Sequence, residues 1–108
     1  MIVYVTGGRD FDDEAQVEET MEQMYGFTTG PHFTVVVDRD LGAGALVQKW
    51  ARDHSERCIL AEARDPAALI AHYKPDQGVV FSTAADPETR DAVAALFEAR
   101  VNTWIVGD

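Results

Sequence analysis

A glycine pair followed by an arginine stands at the end of the first apolar run, within Thr6-Gly7-Gly8-Arg9-Asp10. Adjacent glycines permit a sharp turn and let backbone N–H groups approach a ligand closely, and the amides that open a helix bind anions. Arg9 can pair with a phosphate or carboxylate through two hydrogen bonds, and Asp10 can accept hydrogen bonds from ribose hydroxyls. A tight strand-to-helix turn with a surface arginine explains the same residues. The segment therefore predicts either an anion-binding loop or a plain turn.

Two hydroxyl side chains, Ser82 and Thr83, follow a later apolar run and precede a helix-like segment. Hydroxyls in this place bind a phosphate or cap the helix, and capping is the commoner use. A nucleophilic role requires a nearby base. Because the three histidines are scattered along the chain, we predict no catalytic residue and favour binding over catalysis.

Acidic side chains follow the second apolar run, at Asp38 and Asp40. Together with Asp10 they offer the hard oxygen ligands that Mg²⁺ prefers. A solvated acidic loop explains them as well, because their spacing matches no fixed ligand pattern. Arg39, between the two acids, would then balance their charge. We accordingly predict neither a metal nor a cofactor.

The amino-acid composition limits the kinds of molecule that the protein is expected to bind. The 108 residues include 9 Lys+Arg against 19 Asp+Glu, a formal net charge of -10, and a single cysteine, Cys58. One cysteine excludes an internal disulfide and a multi-cysteine metal cluster. The excess of acid argues against binding to nucleic acid or to an anionic membrane surface. Met1–Val5 lacks the basic flank of a signal peptide, so we expect a cytoplasmic protein that binds small ligands or a basic protein partner.

Five apolar runs alternate with helix-like segments along the chain. The runs are Ile2–Thr6, Phe33–Val37, Cys58–Leu60, Gly78–Phe81 and Thr103–Val106. Continuous apolar runs are typical of strands covered on both faces, and strand-helix alternation favours right-handed crossovers. The pattern predicts an α/β fold: a single Rossmann-like three-layer domain over residues 1–108, with a five-stranded parallel sheet in the order 3-2-1-4-5.

The helix-like segments carry recognisable start signals. Asp13 and Gln16 form a capping-box pattern, and Asp65-Pro66 and Asp86-Pro87 each pair a capping residue with a first-turn proline. The apolar spacing predicts that Trp50 is buried in the second helix. In the fourth helix it predicts burial of Val93, Leu96 and Phe97, and in the first helix of Met21 and Met24.

A strand order that reverses beside the first strand creates a crevice. Ligands of such sheets bind beyond the carboxyl ends of the strands at the reversal. Here the reversal lies between the first and fourth strands, which brings Gly7-Gly8-Arg9 opposite Ser82-Thr83.

The segment Val5–Asp13 resembles the opening of the YspA-like group of the SLOG superfamily, whose members are Rossmann-like domains that bind nucleotides or nucleotide-derived ligands. Gly42-Ala43, followed by Trp50-Ala51, resembles the second motif of the group. Two departures stand out: Asp38-Arg39 replaces a leading Gly-Gly, and Ser82-Thr83 begins the segment that replaces a glycine-rich loop. The chain has no match to the run that LOG-type phosphoribohydrolases share.

The resemblance implies a domain that binds a nucleotide-type small molecule in a regulatory, sensing or sequestering role. From the crevice and the resemblance together we predict these ligand-binding residues: Thr6, Gly7, Gly8, Arg9, Asp10, Gly42, Ser82 and Thr83. Two alternatives stay open: a metal-assisted nucleotide hydrolase, and an acidic protein-interaction or inhibitor module whose ligand site has decayed. A homodimer is compatible with each of these functions.

Overall fold

The computed structural model describes residues 1–27, 33–61, 65–81 and 87–107. Five parallel strands form one sheet in the order β3-β2-β1-β4-β5, which confirms the predicted fold class and strand order. The elements in chain order are β1 (Ile2–Gly7), α1 (Glu14–Gly26), β2 (Thr34–Val37), α2 (Ala43–Asp53), β3 (Arg57–Leu60), α3 (Pro66–Tyr73), β4 (Gln77–Phe81), α4 (Pro87–Glu98) and β5 (Asn102–Val106).

Aspartate caps set two of the helix starts, as the sequence predicts. The Asp13 carboxylate accepts a hydrogen bond from the Gln16 N–H at 3.1 Å and opens α1. The Asp65 carboxylate accepts one from the Ala68 N–H at 3.2 Å, and a proline follows it at the first position of α3. Asp86, the predicted cap of α4, lies outside the described residues.

The helices cover the two faces of the sheet in pairs. α1 and α2 pack against one face and bury Met21, Met24 and Trp50, as predicted. α3 and α4 pack against the other face, around Tyr4 and Leu96. Because alternate residues of a strand point to opposite faces, the even-numbered side chains of β1 face α3 and α4, whereas the odd-numbered ones face α1 and α2.

The predicted burial of Phe97 is wrong, because its side chain is 56% exposed. The buried stripe of α4 runs through Thr89, Ala92 and Leu96. Successive residues of a helix are separated by about 100°, so the orientation that buries Leu96 turns its neighbour toward solvent. Val93 is half-buried beside this stripe.

Cys58 lies half-buried in β3, a packing position as predicted. Burial raises the pKa of its thiol to about 11, because a thiolate is poorly solvated there. In the part of the chain described above, no helix has the length and apolar character needed to cross a membrane.

Candidate functional site

Backbone segments approach one another unusually closely at the carboxyl end of β1. Gly42 has φ +57°, and a Cβ atom added to it would overlap the backbone of Gly8 and Arg9. A Cβ atom added to Gly7 would overlap the carbonyl oxygen of Phe81 at the end of β4. The glycines at these positions therefore bring the turn after β1, the start of α2 and the end of β4 into direct contact.

Hydrogen bonds within the chain fix Gly8 at the centre of this contact. Its N–H donates to the Phe81 carbonyl at 2.9 Å, and its own carbonyl accepts from the N–H groups of Phe11 at 3.1 Å and Ala43 at 3.3 Å. The Gly8 amide is thus bonded within the chain, whereas Arg9 and Asp10, which follow it, are exposed.

On the α3/α4 face of the same sheet end, buried hydroxyls converge on a carboxylate from β2. The Tyr4 and Thr6 hydroxyls both donate to Asp38 Oδ2, each at 2.8 Å. Burial, reinforced by the Asp38 charge, raises the pKa of Tyr4 far above its usual value. Thr6 is 1% exposed and its hydroxyl is bonded to Asp38, so this predicted ligand residue holds the strand ends together.

Arg39 crosses the end of β1 on this face. Its Nη2 donates to the Gly7 carbonyl at 2.6 Å and to Thr89 Oγ1 at 2.8 Å, and its Nη1 lies 3.4 Å from Glu88 Oε2. Thr89 in turn donates to the Gly7 carbonyl at 3.0 Å. The sequence suggested only charge balance for Arg39, yet its guanidinium joins β1 to α4.

Beside this network lies a cavity of about 280 Å³ with an acidic lining. Its walls are Asp38, Arg39, Asp65, Pro66, Glu88 and Asp91. Four carboxylates against one guanidinium disfavour a phosphate, because like charges repel strongly at short range. A phosphate is therefore disfavoured in this cavity.

The start of α2 differs from the starts of α1 and α3. Asp13 and Asp65 cap those two helices, whereas Gly42 precedes α2 without a side-chain cap, and the first turn of α2 contains no acid. The positive end of the α2 dipole is thus not neutralised by a capping carboxylate, and it lies against the Gly8–Arg9 turn. The Ala43 N–H, the first of α2, is bonded to the Gly8 carbonyl, so an anion at this helix start would be attracted mainly by the helix dipole.

The acids considered for a metal site have separate partners. Asp38 accepts from Tyr4 and Thr6, and Asp40 accepts from Gln48 Nε2 at 2.7 Å. Among the residues that the structure describes, no group of three or more His, Cys, Asp or Glu side chains is arranged to hold a metal ion.

The structure brings six of the eight predicted ligand residues to one end of the sheet: Thr6, Gly7, Gly8, Arg9, Asp10 and Gly42. Ser82 and Thr83 lie outside the described residues. Comparisons with models of protein families, with curated proteins and with solved structures find no match to the chain. The resemblance to the YspA-like group therefore stays a prediction from the residues.

Proposed function

We propose that this domain binds a small anionic ligand of nucleotide type, with the negatively charged group between Arg9 and the start of α2. One observation carries the proposal: the start of α2, which has no side-chain cap, packs through Gly42 against the Gly8–Arg9 turn. The start of α2 and the backbone of Arg9 are thereby brought into contact at the end of β1. The nucleotide character of the ligand rests on the YspA-like resemblance of Val5–Asp13.

The physical basis is the joint action of two positive groups. A helix start carries a partial positive charge of roughly half a unit, and a guanidinium offers parallel N–H donors to phosphate or carboxylate oxygens. Asp10, exposed beside Arg9, is a suitable acceptor for ribose hydroxyls. Together these groups favour a ligand with an anionic end and a polyhydroxyl portion.

A binding role is favoured over hydrolysis. Hydrolysis of a nucleotide bond needs a base or a metal-bound water close to the bond. Asp38 is bonded to two buried hydroxyls, and Asp40 is bonded to Gln48. The function best supported is sensing or sequestering the ligand without chemical change.

Thermal unfolding with a panel of nucleotides tests the proposal. The panel contains AMP, ADP, ADP-ribose and cyclic nucleotides, each at millimolar concentration, and calorimetry measures the affinity of those that raise the Tm. A ligand at 100 times its Kd stabilises the native state by about 2.7 kcal/mol. Arg9→Ala should weaken binding about tenfold or more, because a charged hydrogen-bonding group is lost. Arg52→Ala, an exposed arginine in the last turn of α2, is the control and should leave the affinity unchanged.

A second variant tests the helix start separately. Ala45 is the third residue of α2, where a glutamate is favourable for the helix itself. Ala45→Glu should therefore preserve or raise stability while its carboxylate repels an anionic ligand and weakens binding. The proposal is wrong if no member of the panel raises the Tm, or if Arg9→Ala and Arg52→Ala bind equally well.

A further inference from the structure

A small cavity with aromatic and acidic walls lies at the other end of the α1/α2 layer. It encloses about 220 Å³ and is lined by Glu22 and Tyr25 of α1, Trp50 of α2, and His54 and Glu56 just after α2. Its position near the last turns of both helices separates it from the start of α2. Within the described part of the chain, its lining contains two carboxylates and no lysine or arginine.

Contacts with the core hold the aromatic walls in place. Trp50 is 4% exposed, and the His54 ring stacks on it with centroids 4.6 Å apart and an interplanar angle of 23°. Phe33 lies edge-on to both Trp50, at 6.1 Å, and Tyr25, at 5.2 Å. Tyr25 is 47% exposed, so it forms the outer wall of the cavity.

The turn after α2 positions one of the two acids. The Glu56 N–H donates to the Ala51 carbonyl at 2.7 Å, and Ser55 adopts φ +56° between Glu56 and the helix end. Across the cavity, Glu22 Oε1 lies 3.8 Å from His54 Nε2. The carboxylates of α1 and of the turn therefore face the same enclosed volume as the rings.

The indole N–H of Trp50 is a further polar feature of this wall. It is buried and has no hydrogen-bond acceptor among the described residues. A buried donor without an acceptor costs free energy. Because this N–H is buried, it provides a spectroscopic signal for Trp50 and not a contact to a ligand.

We propose that this cavity binds an organic cation, such as a quaternary ammonium head group or the charged end of a basic side chain. The His54 ring covers a face of Trp50, so the exposed Tyr25 ring is the one that attracts a cation through its negative face. Recognition of methylated ammonium groups by aromatic walls is the best-known use of this interaction. Two carboxylates add an attraction that a purely apolar cavity lacks. The net charge of -10 draws cations toward the surface.

Titration of the ¹⁵N-labelled chain, followed by NMR, tests the proposal. The probes are choline, tetramethylammonium, argininamide and 3,3-dimethylbutan-1-ol, which has the shape of choline without its charge. Trp50 and Trp104 each give an indole N–H signal, and Trp104→Phe assigns them. We expect saturable shifts of the Trp50 signal with at least one cation and none with the neutral alcohol. Comparison of choline with argininamide distinguishes a small ammonium ligand from a basic side chain, and tetramethylammonium shows whether the ammonium group alone is sufficient.

Matched variants distinguish binding in the cavity from a general attraction of cations to the acidic surface. Glu22→Gln and Tyr25→Ala should each weaken cation binding about fivefold or more. Tyr25→Phe, which keeps the aromatic ring, should bind the cation about as tightly as the original chain. Glu19→Gln removes the same charge from α1 at an exposed position outside the cavity and should change the affinity less than about twofold.

Two results would overturn the proposal. One is an equal response to the neutral alcohol and to the cations. The other is an equal loss of affinity in Glu19→Gln and Glu22→Gln. Because this cavity and the start of α2 use different residues, either result leaves the nucleotide proposal untouched.

Discussion

The two faces of the sheet at the carboxyl end of β1 are built differently. On the α3/α4 face, side chains fill the space: Tyr4 and Thr6 bond to Asp38, and Arg39 bonds to Thr89. On the α1/α2 face, the chain comes together through backbone contacts that only glycine permits. The end of β1 thus carries a buried polar network on the α3/α4 side. On the α1/α2 side it carries a backbone junction formed by Gly7, Gly8 and Gly42.

The two arginines at this strand end, Arg39 and Arg9, differ in how far they are buried. Arg39 is held in a network, with 17% of its side chain exposed, whereas Arg9 lies exposed on a turn. Buried polar groups need partners, so Arg39 is bound by the fold. The start of α2 has no side-chain cap, and we have proposed that an anion binds between it and Arg9.

The largest expected effect comes from filling the backbone junction. Gly42→Ala should lower the free energy of unfolding by about 3 kcal/mol, because the positive φ disfavours a side chain and the new methyl group overlaps the Gly8–Arg9 backbone. Gly26→Ala is the matched control: a Cβ atom there meets nothing within 4 Å, so stability should stay the same or rise slightly. Urea denaturation measures both, and equal losses would show that the junction is not tight.

Removing the Asp38 carboxylate on the α3/α4 face should lower stability by a similar amount. Asp38→Ala leaves two buried hydroxyls without their acceptor and should lower stability by about 3 kcal/mol. Asp38→Asn keeps an oxygen acceptor at the same place and should cost about 1 kcal/mol. Urea denaturation of the two variants checks the difference, and an alanine variant as stable as the asparagine variant would contradict the network.

The two arginines provide the most direct comparison. Arg39→Ala should lower the free energy of unfolding by about 2 kcal/mol, because the Gly7 carbonyl and Thr89 lose a charged donor. Arg9→Ala should lower it by less than Arg39→Ala does, because Arg9 is exposed on a turn. Guanidinium chloride denaturation measures both variants. If Arg9→Ala lost more stability than Arg39→Ala, the conclusion that Arg39 and not Arg9 holds the strand end together would be wrong.

The smallest effect concerns alkaline pH. The pKa of folded Tyr4 is raised above the ordinary value of 10.0, so the unfolded chain loses its phenolic proton first. The stability that this shift contributes is present below pH 10 and is lost as the pH rises above 10. Tyr4→Phe should cost about 1 kcal/mol at neutral pH and show a shallower decline above pH 10. Cys58 contributes a decline that begins near pH 9 in both proteins. Parallel curves of stability against pH would contradict this account.

The parts of the fold that depend on neighbouring residues were predictable. The apolar runs gave the five strands, and Asp13 and Asp65 marked two helix starts, because a cap and its amide partner are three residues apart. The polar network was not predicted, because its partners are distant in sequence. Tyr4 and Asp38 are 34 residues apart, and Arg39 and Thr89 are 50 apart. Nothing in the local pattern of either residue indicates the other.

The amino-acid sequence by itself determined the fold class, the strand order and the location of a glycine-rich turn at the reversal of the sheet. These features follow from hydrophobic periodicity and turn chemistry, which act over a few residues. Only the tertiary structure decided that Arg39 joins β1 to α4, that Phe97 faces solvent, and that the start of α2 meets the turn that carries Arg9. The physical reason is that the partners of a buried polar group, and the side of a helix that is covered, are set by elements that meet only when the chain has folded.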